Sequence, residues 1–202
     1  MQIRSIFKFA AAYEAFQNVF GFSGARKKAI DAYLNIPDGA KVYDIGCGPG
    51  KMVTWLPYNV DYYGFDISPE YIESAKKTYS GRGTFYCREF NDSVVEELGQ
   101  ADIITLNGVL HHMTDDIAHA VLSSAAKGLK PKGQIFTLDG CYRDGQGWLK
   151  KKLLDMDRGE YVRNRDAYEG LLGRHFSAVD IYIRDDLSKM PYSWISMVGY
   201  KV

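Results

Sequence analysis

The sequence predicts an α/β fold built on a parallel β-sheet, and two observations predict it. Short apolar runs of strand character alternate with helix-period segments over residues 42–139. Such alternation builds parallel strands joined by right-handed crossovers. The first run, Val42-Tyr43-Asp44-Ile45, meets the turn Gly46-Cys47-Gly48-Pro49-Gly50, with glycine at every second position. That arrangement sets bare backbone at the carboxyl end of a buried strand.

The elements follow in chain order. Residues 5–20 read as an amphipathic helix with Ile6, Phe9, Tyr13, Phe16 and Phe20 near one face. A second helix covers about 23–35 and ends before Pro37. Strand 42–46, helix 51–56 and strand 61–66 come next, the last closing on Asp66. Ser68-Pro69 opens a helix over 69–79, with Ser68 as cap and Pro69 in the first turn. Strand 84–88, helix 92–98, strand 102–107 and helix 114–128 continue the alternation. Gly128–Gly133 reads as a turn before strand 134–139. Helices near 147–156 and 164–174 precede two β-rich runs, 178–184 and 193–201, joined by a loop containing Pro191.

The glycine spacing discriminates among nucleotide-binding loops. A dinucleotide fingerprint needs glycine at position 51, which is Lys51. A Walker loop needs Ser or Thr after Gly-Lys, and Met52 stands there. The chain instead reads D-x-G-x-G-x-G from Asp44 to Gly50. Asp66 follows Gly46 by about 20 residues, where nucleoside-binding α/β folds place a ribose-binding carboxylate. Thr84–Phe90 forms the third strand, Ala101–Asn107 runs into Gly108-Val109-Leu110-His111-His112-Met113, and Gly128–Gly133 precedes the fifth strand. Over roughly residues 35–140 this order resembles the class I S-adenosylmethionine (SAM) dependent methyltransferases.

The resemblance implies a Rossmann-like, seven-stranded, mostly parallel sheet with an antiparallel last strand and helices on both faces. It implies one domain over 1–202, with residues 1–35 as a helical lid and an insert at 140–175 that helps bind the acceptor. SAM is the implied cofactor, and a small molecule the implied acceptor, oxygen being favoured over nitrogen on family frequency. Cofactor contacts fall on Asp44, Gly46, Cys47, Gly48 and Gly50, on Asp66 and Ile67, on Glu89 and Phe90, and on Asn107 and Gly108. Glu89 stands where the family usually has an aspartate beside the adenine amine. Asp44 either braces the glycine turn through backbone N–H groups or lies near the cofactor's amino group. Phe90 is either core or a wall beside the adenine ring. A helix N-terminus after the turn would offer unpaired N–H groups to an anionic group.

His111 and His112 are the candidate catalytic residues. Adjacent residues at a strand end point in different directions, so one of the two faces the pocket. The family's substrate-touching residue often falls at the first position, which favours His111 as general base. His112 then packs or caps the following helix. Tyr142, Arg143, Trp148 and Tyr161 are candidate acceptor contacts. Arg143, Arg158, Arg163 and Arg165 could recognise an anionic acceptor.

Composition limits the partners. The 202 residues carry 25 basic and 25 acidic side chains, so no net field draws the chain to nucleic acid. Asn107-Gly108-Val109-Leu110 stands where many base- and amide-nitrogen methyltransferases carry Asn/Asp-Pro-Pro-Tyr/Phe, which argues against DNA and protein amides. Cys47, Cys87 and Cys141 read as free thiols of a cytoplasmic protein. No His, Cys or carboxylate cluster has metal-ligand spacing, and no apolar run spans a bilayer. Three alternatives accompany this reading: a SAM-binding module without turnover, an RNA methyltransferase docking through the basic segment 143–165, and a peripheral membrane contact through the aromatic first helix. The lid is preferred over the membrane contact, and oligomeric state has no signature in the sequence.

Overall fold

The structure, a computed structural model, describes residues 21–155 and 160–201. The helix expected over 5–20 lies outside the described residues. The described elements are α1 (Phe22–Tyr33), β1 (Lys41–Ile45), β2 (Asp61–Asp66), α2 (Pro69–Tyr79), β3 (Thr84–Cys87) and α3 (Asp92–Leu98). They continue with β4 (Ala101–Asn107), α4 (Asp115–Gly128), β5 (Leu129–Tyr142), α5 (Trp148–Asp155), β6 (Arg163–Asn164), α6 (Arg165–Gly173), β7 (Ala178–Arg184) and β8 (Trp194–Tyr200). Short 3-10 turns occupy Lys51–Trp55 and Leu110–His112.

The strands order as β3-β2-β1-β4-β5-β8-β7, and the two-residue β6 pairs with β5 off this path. β1 through β5 are parallel, while β8 runs antiparallel to both β5 and β7. The expected seven-stranded sheet with an antiparallel last strand is therefore present, and the unforeseen β6 adds two residue pairs, Cys141 with Arg163 and Tyr142 with Asn164. The burial pattern explains the parallel pairing. β1 and β4 are buried on both faces, as Val42, Tyr43, Ile45, Ile103, Ile104 and Leu106 require. Ala25, Ala29 and Ile30 of α1, Ile72 and Ala75 of α2 and Leu154 of α5 pack on one face. Val94 of α3, Ala118, Leu122 and Ala125 of α4, and Tyr168, Leu171 and Leu172 of α6 cover the other.

The caps fall where the side chains permit. Ser68 accepts from the N–H of Tyr71, Asn91 from Ser93 and Val94, Thr114 from Ile117, and Asn164 from Ala167. Two expectations change. Residues 51–56 make a 3-10 turn over Lys51–Trp55 and not an α-helix, because Pro57 disfavours the α region for Leu56. The turn expected at 128–133 is instead a bulged start of β5: Leu129 already pairs with Ala101, and pairing resumes at Gln134 with Ile103. Lys132 adopts a positive φ of 65° within this bulge, and its N–H donates to the Lys201 carbonyl at 3.0 Å. No helix among the described residues is long and apolar enough to cross a membrane.

Candidate active site

The carboxyl ends of β1, β2 and β4 carry the site. After Ile45 the chain folds over the end of β2, where Gly46 and Cys47 N–H groups both donate to the Phe65 carbonyl, at 2.8 and 3.0 Å. The Gly48 N–H donates to Asp66 Oδ2 at 2.9 Å, and the Gly50 N–H to the Cys47 carbonyl at 3.1 Å. The N–H groups of the turn at Gly46, Cys47, Gly48 and Gly50 are thus engaged within the protein.

Asp66, not Asp44, is the brace of the glycine turn. Its Oδ1 also accepts from the Ser68 N–H at 2.8 Å, so one carboxylate ties the loop after β1 to the loop after β2. Asp44 makes side-chain contacts instead. It accepts from the Tyr62 hydroxyl at 2.6 Å and the Thr105 hydroxyl at 2.8 Å, and only 2% of it is exposed. Burial pushes its carboxyl up to about 6, against the opposing pull of the Tyr62 and Thr105 hydroxyls and the Arg26 charge.

A cavity of about 760 Å³ opens at these strand ends. Its floor is Asp44, Gly46, Cys47 and Gly48; Asp66 and Ile67 stand at one side, with Glu89 and Phe90 beyond. Asn107, Gly108 and His112 close the other side. Ten of the eleven residues expected to hold a cofactor therefore share one cavity. Gly50 is the exception. At φ 82° it would place a Cβ 2.7 Å from Phe85 Cε1 and 3.0 Å from the Ala75 Cβ, so its backbone is needed for packing behind the loop. Gly48, at φ 54°, faces open space, with nothing among the described residues within 4 Å of a Cβ built on it. Phe90 is both core and wall: it packs against Phe65 and Tyr43, with ring centroids 5.3 and 5.7 Å apart, and also lines the cavity. Ile67 is an apolar wall 72% open to solvent.

The histidines exchange their expected places. His112 is exposed and lines the cavity. His111 is buried, its Nδ1 lying 2.6 Å from Asp139 Oδ1, and its backbone N–H donates to the same oxygen at 3.2 Å. The two rings lie 4.1 Å apart, centroid to centroid. The reason lies in the turn between β4 and α4. Leu110–His112 winds as 3-10, which brings His111 against the inward-facing carboxylate of β5 and turns His112 outward.

The expected acceptor contacts do not converge. Tyr142 and Arg143 line a second cavity of about 870 Å³, together with Lys151, Asp155 and Arg165. Tyr142 donates to Asp155 at 2.6 Å and Arg143 to Asp185 at 3.0 Å. Trp148 is 76% exposed on α5, and Tyr161 lines neither cavity; its N–H donates to the His111 carbonyl at 2.9 Å. The basic segment is compensated by acids. Arg143 and Lys150 meet Asp185, Arg165 meets Asp166 and Glu169, and Arg163 is buried; Arg158 lies outside the described residues.

Sequence reasoning missed Arg26 and Met52. Arg26, one turn into α1, reaches the cavity; its Nη2 would lie 2.8 Å from a Cβ on Gly108, and its buried Nε has no hydrogen-bond partner among the described residues. Asn107 donates to Met52 Sδ at 3.2 Å, and its buried Oδ1 is likewise unpartnered. No local pattern around Arg26 signals a site, because α1 reaches the sheet end only through tertiary packing. Among the described residues no group of three or more His, Cys, Asp or Glu side chains could hold a metal ion.

Comparison with known proteins agrees with this geometry. Residues 42–133 match a family model described as a methyltransferase domain. A ubiquinone biosynthesis O-methyltransferase of Xanthomonas axonopodis pv. citri is 28% identical over 115 residues, 55% of this chain and 47% of that protein. The Escherichia coli protein of the same description is 31% identical over 117 residues, with the same coverage. The chain spans about half the length of these relatives. The solved structure of human N-acetylserotonin methyltransferase in complex with SAM superposes with a TM-score of 0.69 at 20% identity, covering 99% of this chain and 56% of that one, a likeness of fold. The methyltransferase-domain match and the loop, cavity and strand order above agree: residues 42–133 match a methyltransferase domain, on the fold that SAM-dependent methyltransferases share.

Proposed function

We propose that this chain binds SAM in the 760 Å³ cavity and transfers its methyl group to a small-molecule hydroxyl. One observation carries the reading. At a single strand-end cavity, the open face of Gly48, the Asp66 carboxylate and two buried polar atoms without partners among the described residues, Arg26 Nε and Asn107 Oδ1, stand together. Buried polar groups without partners are rare and costly. A zwitterionic amino-acid moiety would satisfy both, its carboxylate meeting the Arg26 guanidinium and its ammonium the Asn107 oxygen. Asp66 keeps lone pairs for ribose hydroxyls, and Ile67 and Phe90 offer apolar surface to a base. Bare backbone at Gly48 allows close approach.

When bound, SAM supplies a methyl group activated on a sulfonium and departs as a neutral thioether. The chain's own residues orient the acceptor, exclude water and take a proton. His112 accepts the acceptor's hydroxyl proton as the new O–C bond forms, a role that its position on the cavity lining supports. His111, anchored on Asp139, backs it. The curated relatives are O-methyltransferases by description, which supports oxygen as the acceptor atom. The acidic partners of the basic segment favour a small molecule over RNA.

Calorimetry with SAM tests the binding half. Arg26→Met is expected to weaken it by roughly 1.5–3 kcal/mol, the worth of a hydrogen bond to a charged group. A parent chain that fails to bind SAM, or an unaltered Arg26→Met affinity, contradicts the assignment. Transfer of a labelled methyl group to catechol as a probe hydroxyl, abolished in His112→Gln, tests the second half.

A further inference from the structure

Arg163 lies in the segment expected to bind anions, yet it is 9% exposed and all of its donors are spent inside the protein. Its Nη1 donates to the carbonyls of Leu110 and Tyr161, each at 2.8 Å. Its Nη2 donates to the Met113 carbonyl at 2.7 Å and to Asp115 Oδ1 at 2.7 Å, and Nε donates to the same carboxylate oxygen at 2.9 Å. Those five bonds use the full set of guanidinium N–H groups. The carbonyls of Leu110 and Met113 bracket His111 and His112. Tyr161, whose carbonyl is also held, donates its N–H to the His111 carbonyl at 2.9 Å.

The same guanidinium reaches the other side of the site. It sits over the Tyr168 ring at 5.8 Å from the centroid, and the Tyr168 hydroxyl donates to the Gly140 carbonyl at 3.1 Å. Gly140 follows Asp139, the partner of His111. One buried cation therefore fixes the main chain of the histidine turn and, through Tyr168, the strand that carries its carboxylate.

We infer that Arg163 is a positioning residue, which holds the His111-His112 turn at the reacting end of the cavity. The inference rests on the proposed function only in treating that turn as the reacting end. A lysine cannot replace it: three donors on a flexible stem cannot span three carbonyls and a carboxylate. Asp115 is the lesser partner, because its side chain is 72% exposed.

The test uses the full chain with 15N-labelled histidines, in the parent, Arg163→Ala, Arg163→Lys and Asp115→Asn. In the parent, His111 is expected to show one well-defined signal set with a proton on Nδ1, held toward Asp139. Arg163→Ala is expected to broaden or shift the His111 and His112 signals and to lower methyl transfer to catechol about 100-fold, the scale of a 1 Å misplacement. SAM affinity should stay within about threefold, since the Gly48–Asp66 contact is untouched. Added guanidinium should partly restore the parent spectrum in Arg163→Ala. Asp115→Asn should leave the spectrum close to the parent's. A folded Arg163→Ala with the parent's histidine spectrum overturns the inference; if that variant does not fold, an unchanged spectrum in Arg163→Lys does so. A parent that binds no SAM removes the proposed function, while the histidine spectra still decide the role of Arg163.

Discussion

The buried Asp44 carboxylate makes the free protein less stable at neutral pH, and the size of that cost follows from its surroundings. Burial raises its pKa from 3.8 to about 6, mainly by desolvation. The unfolded chain releases this proton near 3.8 and the folded one near 6, so over that interval the folded state binds more protons and stability falls as pH rises. Above 6 the penalty is complete, at about 3 kcal/mol from the roughly two-unit shift. Near pH 5 it is only about half developed. Asp44→Asn keeps an acceptor for one hydroxyl and offers the other an amide N–H. The variant should therefore be more stable than the parent by up to about 3 kcal/mol near pH 7.5, with the gap shrinking by about half near pH 5. Urea denaturation followed by the fluorescence of Trp55 and Trp194 measures both. A variant less stable than the parent near neutrality, or a gap that does not grow with pH, refutes the reasoning.

Two glycines of one loop should respond differently. Gly50→Ala, strained in φ and 2.7 Å from Phe85, should lose about 2–5 kcal/mol of stability by thermal denaturation. Gly48→Ala should lose only about 1–2 kcal/mol yet weaken SAM binding more than tenfold by calorimetry; equal binding would place the ligand elsewhere. At the α4–α6 contact, Arg174 faces His119 Nε2 at 3.2 Å, and His119 Nδ1 meets His175 Nε2 at 3.0 Å. Burial, with His119 and Arg174 beside it, lowers the His175 pKa. The unfolded chain then binds more protons, so stability is lost as pH falls below about 6.5, and His175→Gln should flatten that slope in urea denaturation.

The periodic elements were legible because local chemistry decides them. Strands 61–66 and 178–184 and helices 69–79 and 92–98 match their expected bounds, since caps, prolines and apolar alternation all mark them. The glycine loop and the acidic strand ends were legible for the same reason, and they meet in one cavity. What escaped depends on contacts distant in sequence. Asp44 and Asp66 were distinguishable only once β1 and β2 were paired. His111 and His112 exchanged positions because the 3-10 turn and Asp139 set their directions. Arg163 reads as one more surface cation until its partners at 110–115 surround it. Tyr142, Arg143, Trp148 and Tyr161 were grouped by type, whereas α5 and β6 carry them to different places.

β8 joins the sheet between β5 and β7, although it follows both in the chain. As the ribosome releases the polypeptide, the parallel strands β1 to β5 can assemble while the outer edge of β5 still lacks its neighbour. The apolar run Ile135-Phe136-Thr137-Leu138 then offers unpaired amide and carbonyl groups to any passing strand. Only the arrival of Trp194–Tyr200 closes that edge, so a nascent or truncated chain ending short of residue 194 carries a built-in aggregation hazard.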